Sequence, residues 1–180
     1  MNFCPHCGSP NLIRRIPEGD THPRQICSTC ATIHYTNPKI VTGCLPVWED
    51  KVLLCRRAIE PAYGLWNVPS GYLENGESVQ EGAQREVWEE AMAEVRLDYL
   101  ITLYDIERIQ QVYLQYVGDL VAGRYAVGEE SLEVRLFTEQ DIPWEEIAFT
   151  SSAFTLRNYF RDRRNGDKQL HQGSYPATES

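Results

Sequence analysis

GYLENGESVQEGAQREVWEEAMA, residues 71–93, decides how the rest of the chain is understood. Ser78 and Glu81 have the spacing of a capping box, so the stretch predicts a helix that starts at Ser78. Helical periodicity then places Ala83, Val87 and Ala91 on one apolar face, with Trp88 at its margin. Glu86 and Glu90 are four residues apart and share a different face, and Glu89 lies beside them, three residues after Glu86. Gly82 sits one turn before Glu86 and leaves space on that face. Three carboxylates this close repel one another unless water or cations neutralise them. Hard oxygen donors of this kind suit Mg²⁺ or Mn²⁺. Taken alone, EVWEE is equally consistent with an ordinary solvated helix face.

The longer pattern separates the two readings. Gly71, Glu77, Arg85, Glu86, Val87, Glu89 and Glu90 fall in register with G-x5-E-x7-R-E-U-x-E-E-x-G-U, where U is a bulky aliphatic residue. The stretch therefore resembles the Nudix box, the signature of hydrolases that cleave nucleoside diphosphates linked to another group. Two positions depart from it: Met92 stands where the pattern has Gly, and Ala93 where it has a bulky aliphatic residue. A Gly there would suit a left-handed residue closing the helix. A Met in that conformation costs about 1 kcal/mol, or else lets the helix continue. The resemblance implies an α/β/α sandwich with a mixed sheet. It also implies a catalytic Mg²⁺ or Mn²⁺ held by Glu86, Glu89 and Glu90, with Glu89 as ligand or base and the Ser70 carbonyl completing the coordination. Such an ion polarises phosphoryl oxygens and lowers the pKa of a water that attacks phosphorus. Arg85 and Glu77 correspond to the pair that ties loop to helix. A further acidic residue from a later segment is expected, with Glu130 and Glu133 as candidates and Glu129 still open.

Six cysteines divide into two groups. Cys4, Cys7, Cys27 and Cys30 form two CxxC knuckles inside a segment rich in Cys, Pro, Gly and polar residues. In a reducing compartment this spacing favours a tetrahedral thiolate site for zinc over disulfides. Residues 1–36 are expected to form a small zinc ribbon. His6, His22 and His34 are alternative ligands, but four cysteines already fill the site. Arg14, Arg15 and Arg24 are offset by Glu18 and Asp20, so no basic stripe emerges, and a structural role is favoured over nucleic-acid docking. Cys44 and Cys55 lie in apolar, strand-like segments and are expected in the core.

Asn37-Pro38 marks a boundary, and residues 37–162 are expected to form the hydrolase domain. KIVTGCLPVWED and KVLLCRRA predict two strands joined at Glu49-Asp50. Next comes AIEPAYGLWNVPSGYLENGE, whose Pro and Gly residues predict a long irregular loop, the kind that usually carries function. Arg56 and Arg57, just before it, are candidates to grip phosphates, or else a surface pair. Tyr63 and Tyr72 are candidates to stack on a base or flavin, whereas Trp66 is expected in the core. EVRLDYLITLYDI, QQVYLQYVGDL and LEVRLF predict further strands. A helical turn is expected near EQDIPW, and a last helix over 151–161. Residues 163–180 are expected to be a disordered tail.

A net charge of −9 excludes a general polyanion binder. The longest apolar runs fall far short of a membrane span. The first residues lack a basic region followed by an apolar stretch, so a cytoplasmic protein is expected. From residue 3 to about 160 the chain resembles a Nudix subgroup with an N-terminal zinc ribbon, which includes plant FAD and ADP-ribose pyrophosphatases. That implies cleavage of FAD or ADP-ribose with release of AMP. NADH-cleaving relatives also carry a ribbon, but they have an SQPWPFPxS signature after the box that this sequence lacks. Many ADP-ribose enzymes have a proline some fifteen residues past the box, where this chain has DIERIQQ. Alternatives are an NADH or nucleoside triphosphate pyrophosphatase, a protein acting on capped RNA or sensing a ligand, and an inactive scaffold. The expected partner is a small dinucleotide, not nucleic acid or membrane, with a homodimer possible by resemblance.

Overall fold

A computed structural model describes residues 1–175. The chain forms two compact units, Met1–Asn37 and a second that begins at Pro38. In the first, β1 (Leu12–Arg15), β2 (Arg24–Cys27) and β3 (Ile33–His34) make an antiparallel sheet in that order. The first knuckle precedes β1, and the second begins at the end of β2.

The second unit is built on one mixed sheet. Its strands are β4 (Lys39–Trp48), β5 (Lys51–Arg57), β6 (Trp66–Asn67), β7 (Ser70–Tyr72), β8 (Val95–Ile106), β9 (Gln111–Leu120), β10 (Ser131–Phe137) and β11 (His171–Ser174). The spatial order is β10-β5-β4-β9-β8-β11, with β6 paired to β5 and β7 to β4. β4 runs parallel to β9 and β11 parallel to β8; the remaining pairs are antiparallel. The helices are α1 (Val79–Ala91) and α2 (Thr150–Asn165).

Alternation along the strands divides the core into two layers, because successive side chains leave a strand on opposite faces. Cys44, Leu53 and Cys55 pack with Ala83, Val87 and Ala91 of α1. Leu45, Val52 and Leu54 pack with Leu156, Tyr159 and Phe160 of α2, and Trp66 joins them, its ring edge-on to Phe137 at 4.8 Å. The sheet thus lies between two helices in an α/β/α sandwich. Cys44 and Cys55 are fully buried, and burial pushes both thiols upward in pKa, so they are inert packing groups.

Two expectations need correction. The segment from Ala58 to Glu77 is not wholly irregular, since β6 and β7 form within it by borrowing partners from β5 and β4. The disordered tail is not found over 163–175. α2 continues to Asn165 and ends on left-handed Gly166, and His171–Ser174 then add a strand to the free edge of β8. His171 Nε2 meets the buried Asp162 carboxylate at 2.6 Å, which anchors the returning strand to α2. Residues 176–180 lie outside the described residues.

Candidate active site

The capping box is formed in full. Ser78 Oγ accepts from the Glu81 N–H at 3.2 Å, and the Glu81 carboxylate accepts from the Ser78 N–H at 2.8 Å. Such caps are worth about 1 kcal/mol and fix where α1 begins, and hence which of its residues face the sheet. At the other end Met92 is left-handed (φ 46°, ψ 37°), and its N–H bonds the Trp88 carbonyl. Met92 therefore closes the helix in the conformation expected of the Gly in the pattern.

Arg85 organises the loop before α1. Its Nε and Nη2 donate to the two Glu77 oxygens at 3.0 and 2.8 Å, and Nη2 also donates to the Tyr72 carbonyl at 3.0 Å. This bidentate pair holds the Glu77 carboxyl down at about 2. Arg85 Nη1 donates to Glu86 at 2.7 Å and to Glu89 at 2.9 Å, so one guanidinium holds two of the clustered acids. Gly71 lies against the same cluster. A Cβ built on it falls 2.4 Å from Glu86 Oε1, a distance no side chain tolerates.

Glu86 and Glu90 are 7% and 5% exposed. Burial, with the neighbouring acids Glu89 and Glu130, lifts Glu86 to about 7 against the opposing pull of Arg85. Burial, with Glu86 and Glu130, lifts Glu90 to about 8 against the Ser70 N–H, which donates to Glu90 Oε1 at 3.0 Å, and against Arg57. Cleft acids raised by burial and like charge are poised for a cation.

The segment after β9 delivers one further acid. The Ala126 and Gly128 N–H groups bond the last α1 carbonyls, those of Ala91 and Glu90. Gly128 approaches so closely that a Cβ there falls 1.9 Å from the Glu89 carbonyl oxygen. That docking brings Glu130 into the cleft beside Glu86 and Glu90. Glu133 does not join them. It lies opposite Arg56 across the β10–β5 pairing and meets it at 3.8 Å, both half-exposed.

The cleft has a volume of about 690 Å³, within the range of ligand sites. Glu86, Glu89, Glu90, Glu130, Arg85, Ser70, Arg57 and Tyr72 all line it, whereas Arg56, Glu133, Glu129 and Tyr63 do not. Arg57 is 8% exposed; its Nε donates to the Pro61 carbonyl at 2.8 Å and its guanidinium stands 5.0 Å from the Phe149 ring. Tyr72 accepts from Gln111 Nε2 at 2.7 Å, and the Tyr113 hydroxyl donates to Gln111 Oε1 at 2.8 Å. Arg108, Gln111, Tyr113 and Tyr175 were missed as lining residues. Arg108 and Gln111 lie in DIERIQQ, and their place depends on the β8–β9 turn, which composition alone does not fix.

Without a divalent cation, the folded state binds protons at Glu86 and Glu90 that the unfolded chain releases near pH 4.5. The stability these protonated groups contribute is present below that value and is lost as pH rises through about 7 and 8. Added Mg²⁺ or Mn²⁺ is therefore expected to raise Tm more at pH 8.5 than at pH 6. Melting curves with EDTA or metal at both values test this, and an equal gain at the two would contradict it.

The ribbon cysteines also converge. All six thiols of the chain are free, and the Sγ atoms of Cys4, Cys7, Cys27 and Cys30 lie within 4.8 Å of one another. The Cys4–Cys30 and Cys7–Cys27 separations are 3.7 and 3.6 Å. A tetrahedron with metal–sulfur bonds of ~2.3 Å has edges of ~3.8 Å. Backbone N–H groups of Cys30 and Thr29 lower the Cys27 thiol to about 6, and a thiolate is the form that binds metal.

Residues 2–36 match a family model described as Nudix N-terminal, a zinc ribbon, and residues 37–157 match the NUDIX domain. An ADP-ribose pyrophosphatase of Methanocaldococcus jannaschii is 24% identical over 71% of this chain and 76% of its own length. The NAD-capped RNA hydrolase NudC of Salmonella typhi is 27% identical over 78% of this chain, which spans about half, 53%, of that relative. The crystal structure of a NUDIX hydrolase from Nitrosomonas europaea is 48% identical, with a TM-score of 0.92 over 97% of this chain and 99% of that one. A domain match across most of the chain, on a fold that gathers the box acids in one cleft, shows that this chain belongs to the Nudix hydrolase family.

Proposed function

We propose that the chain cleaves the diphosphate of an adenosine-containing nucleoside diphosphate derivative, with ADP-ribose and FAD as the leading substrates, and releases AMP. The observation that carries this reading is the convergence of Glu86, Glu89, Glu90 and Glu130 with Arg57 in a single cleft of about 690 Å³. The ADP-ribose pyrophosphatase relative supports the substrate class.

The acids are oxygen donors that fit Mg²⁺ or Mn²⁺, with the Ser70 carbonyl as a further ligand. A bound ion would polarise the phosphoryl oxygens and make water a better nucleophile. The chain's own groups do the rest. Arg85 fixes Glu86 and Glu89, the Ser70 N–H fixes Glu90, and Arg57, held by Pro61 and Phe149, meets the negative diphosphate without having to reorganise. Glu130 is the better candidate than Glu133 for the additional acid, because it alone of the two lines the cleft. Four thiolates at tetrahedral spacing fit a structural Zn²⁺ in the ribbon. Free thiols throughout suit a reducing, cytoplasmic setting. No helix among the described residues is long and apolar enough to cross a membrane.

A second reading, cleavage of NADH or an NAD-capped RNA end, has the NudC relatives in its favour. Product analysis separates the readings. The purified chain is incubated with FAD, ADP-ribose, NADH and NAD-capped RNA, each with Mg²⁺ or Mn²⁺. Metal-dependent AMP release, fastest from ADP-ribose or FAD, is expected. Turnover of the NAD-linked substrates alone would replace the first reading with the second.

A further inference from the structure

Tyr175 lies beyond residue 157, where the match to the hydrolase domain ends, and yet it lines the cleft. β11 brings it there. His171–Ser174 pair in register with Thr102–Asp105 of β8, and the Tyr175 N–H then bonds the Asp105 carbonyl at 2.8 Å. The strand fits because Gly173 passes between rings: a Cβ there falls 2.7 Å from Phe154 and 2.9 Å from Tyr104. The Tyr175 side chain packs against the cluster of Val41, Tyr104, Ile106 and Tyr113. The Arg108 guanidinium stands 5.6 Å from its ring centroid. Both side chains line the same cleft as the acids.

This wall differs from the acidic one. It presents a phenol ring, a guanidinium plane and the amide of Gln111, with no carboxylate paired to Arg108 among the described residues. Aromatic and guanidinium planes accept a flat heterocycle by stacking, whatever its sequence of ring atoms. We propose that Tyr175, with Arg108, forms the subsite for the adenine base, so that the segment after α2 supplies a specificity-determining residue to the hydrolase cleft. This rests on the adenosine-containing substrate argued above. It assigns the base to the C-terminal strand and leaves the diphosphate to Arg57 and the box acids. Because neither side chain is hydrogen-bonded or ion-paired to Glu86, Glu89, Glu90 or Glu130, the pair is expected to govern binding and not the chemical step.

The test uses the full chain. Wild type, Tyr175→Ala, Tyr175→Trp and Arg108→Ala are compared for ADP-ribose turnover, and calorimetry measures the binding of AMP and of ribose 5-phosphate separately. Tyr175→Ala is expected to raise KM about tenfold, the scale of one lost base stack, with kcat within about twofold. AMP binding should weaken about as much, and ribose 5-phosphate binding should not change. Tyr175→Trp, which keeps a stacking face, should restore AMP binding. Arg108→Ala should weaken AMP in the same direction as Tyr175→Ala. If Tyr175→Ala binds AMP as the wild type does, or loses AMP and ribose 5-phosphate equally, the subsite is not there. Failure of the wild type to cleave any adenosine diphosphate derivative would count against the substrate reading, and AMP binding would still decide the subsite.

Discussion

Glu90→Gln is expected to lower metal-dependent AMP release by about a thousandfold, the scale on which positioned electrostatic groups act, while leaving the chain no less stable at pH 8. The two effects have one cause. The Glu90 carboxylate is 5% exposed and faces Glu86 and Glu130, and burial with these charges lifts it to about 8. Its negative form is therefore costly in the folded state unless a cation shares the site. Glutamine removes that charge and keeps an Oε1 that accepts the Ser70 N–H at the same place. What it cannot do is hold a divalent ion as a carboxylate does. The comparison is Tm in EDTA at pH 8 alongside AMP release with Mn²⁺. Glu133→Gln is the matched control. It loses only a half-exposed partner of Arg56 at 3.8 Å, an interaction worth about 0–1 kcal/mol, and activity is expected within about twofold. Activity in Glu90→Gln within tenfold of the parent would overturn the role given to Glu90. A collapse in Tm would show that its carboxylate is structural.

Sequence disclosed the parts of this site that are local. The α1 start follows from Ser78 and Glu81, three residues apart and bonded to each other. The i, i+4 stacking of Glu86 and Glu90 follows from helical geometry once that start is set. The strands on either side of Glu49-Asp50 and the burial of Cys44 and Cys55 follow from period and composition. Even the Met92 departure could be stated as a choice between two backbone outcomes, and the left-handed one is found.

What stayed hidden depends on contacts between distant segments. Arg56 and Arg57 are adjacent, so a strand turns them to opposite faces, but only the assembled sheet shows that Arg57 faces the cleft. Glu130 and Glu133 are separated by a register irregularity between Ser131 and Glu133, and Glu130 arrives through the docking of Gly128 on the end of α1. Neither feature has a periodic signal. His171–Ser174 has the polar composition of a tail and little intrinsic strand preference. It is ordered because β8 leaves an open edge and because Asp162, buried on α2, meets His171. The same edge pairing carries Tyr175 into the cleft, so a specificity residue was concealed in a segment that composition assigns to disorder.

Stripping the metal from the ribbon is expected to unfold Met1–Asn37 while the second unit keeps its own melting transition. The first unit has almost no apolar interior. Cys4, Pro17, Ile26 and Cys27 are its buried apolar side chains, whereas Phe3, Ile13 and Ile16 are 61%, 44% and 55% exposed. So small an apolar interior offsets little of the conformational entropy lost when the segment orders. Hydrogen bonds along the short β1–β2 and β2–β3 pairings do not close that gap. A tetrathiolate metal supplies binding free energy that is realised only in the folded form, which is why small domains of this kind depend on their ion. The second unit needs no such ion to fold, since it buries two large clusters of its own on the faces of the sheet. The measurement is a chelator titration with a thiol- and zinc-reporting dye, followed by limited proteolysis. One zinc ion per chain is expected to leave, followed by cleavage within residues 8–24, between the knuckles. Cys27→Ser is expected to show the same cleavage without chelator, because it removes the ligand whose thiolate the backbone N–H groups of Cys30 and Thr29 favour. A metal-free ribbon that still resists protease would mean that its strands hold without the thiolate site, and the zinc assignment would fall with that result.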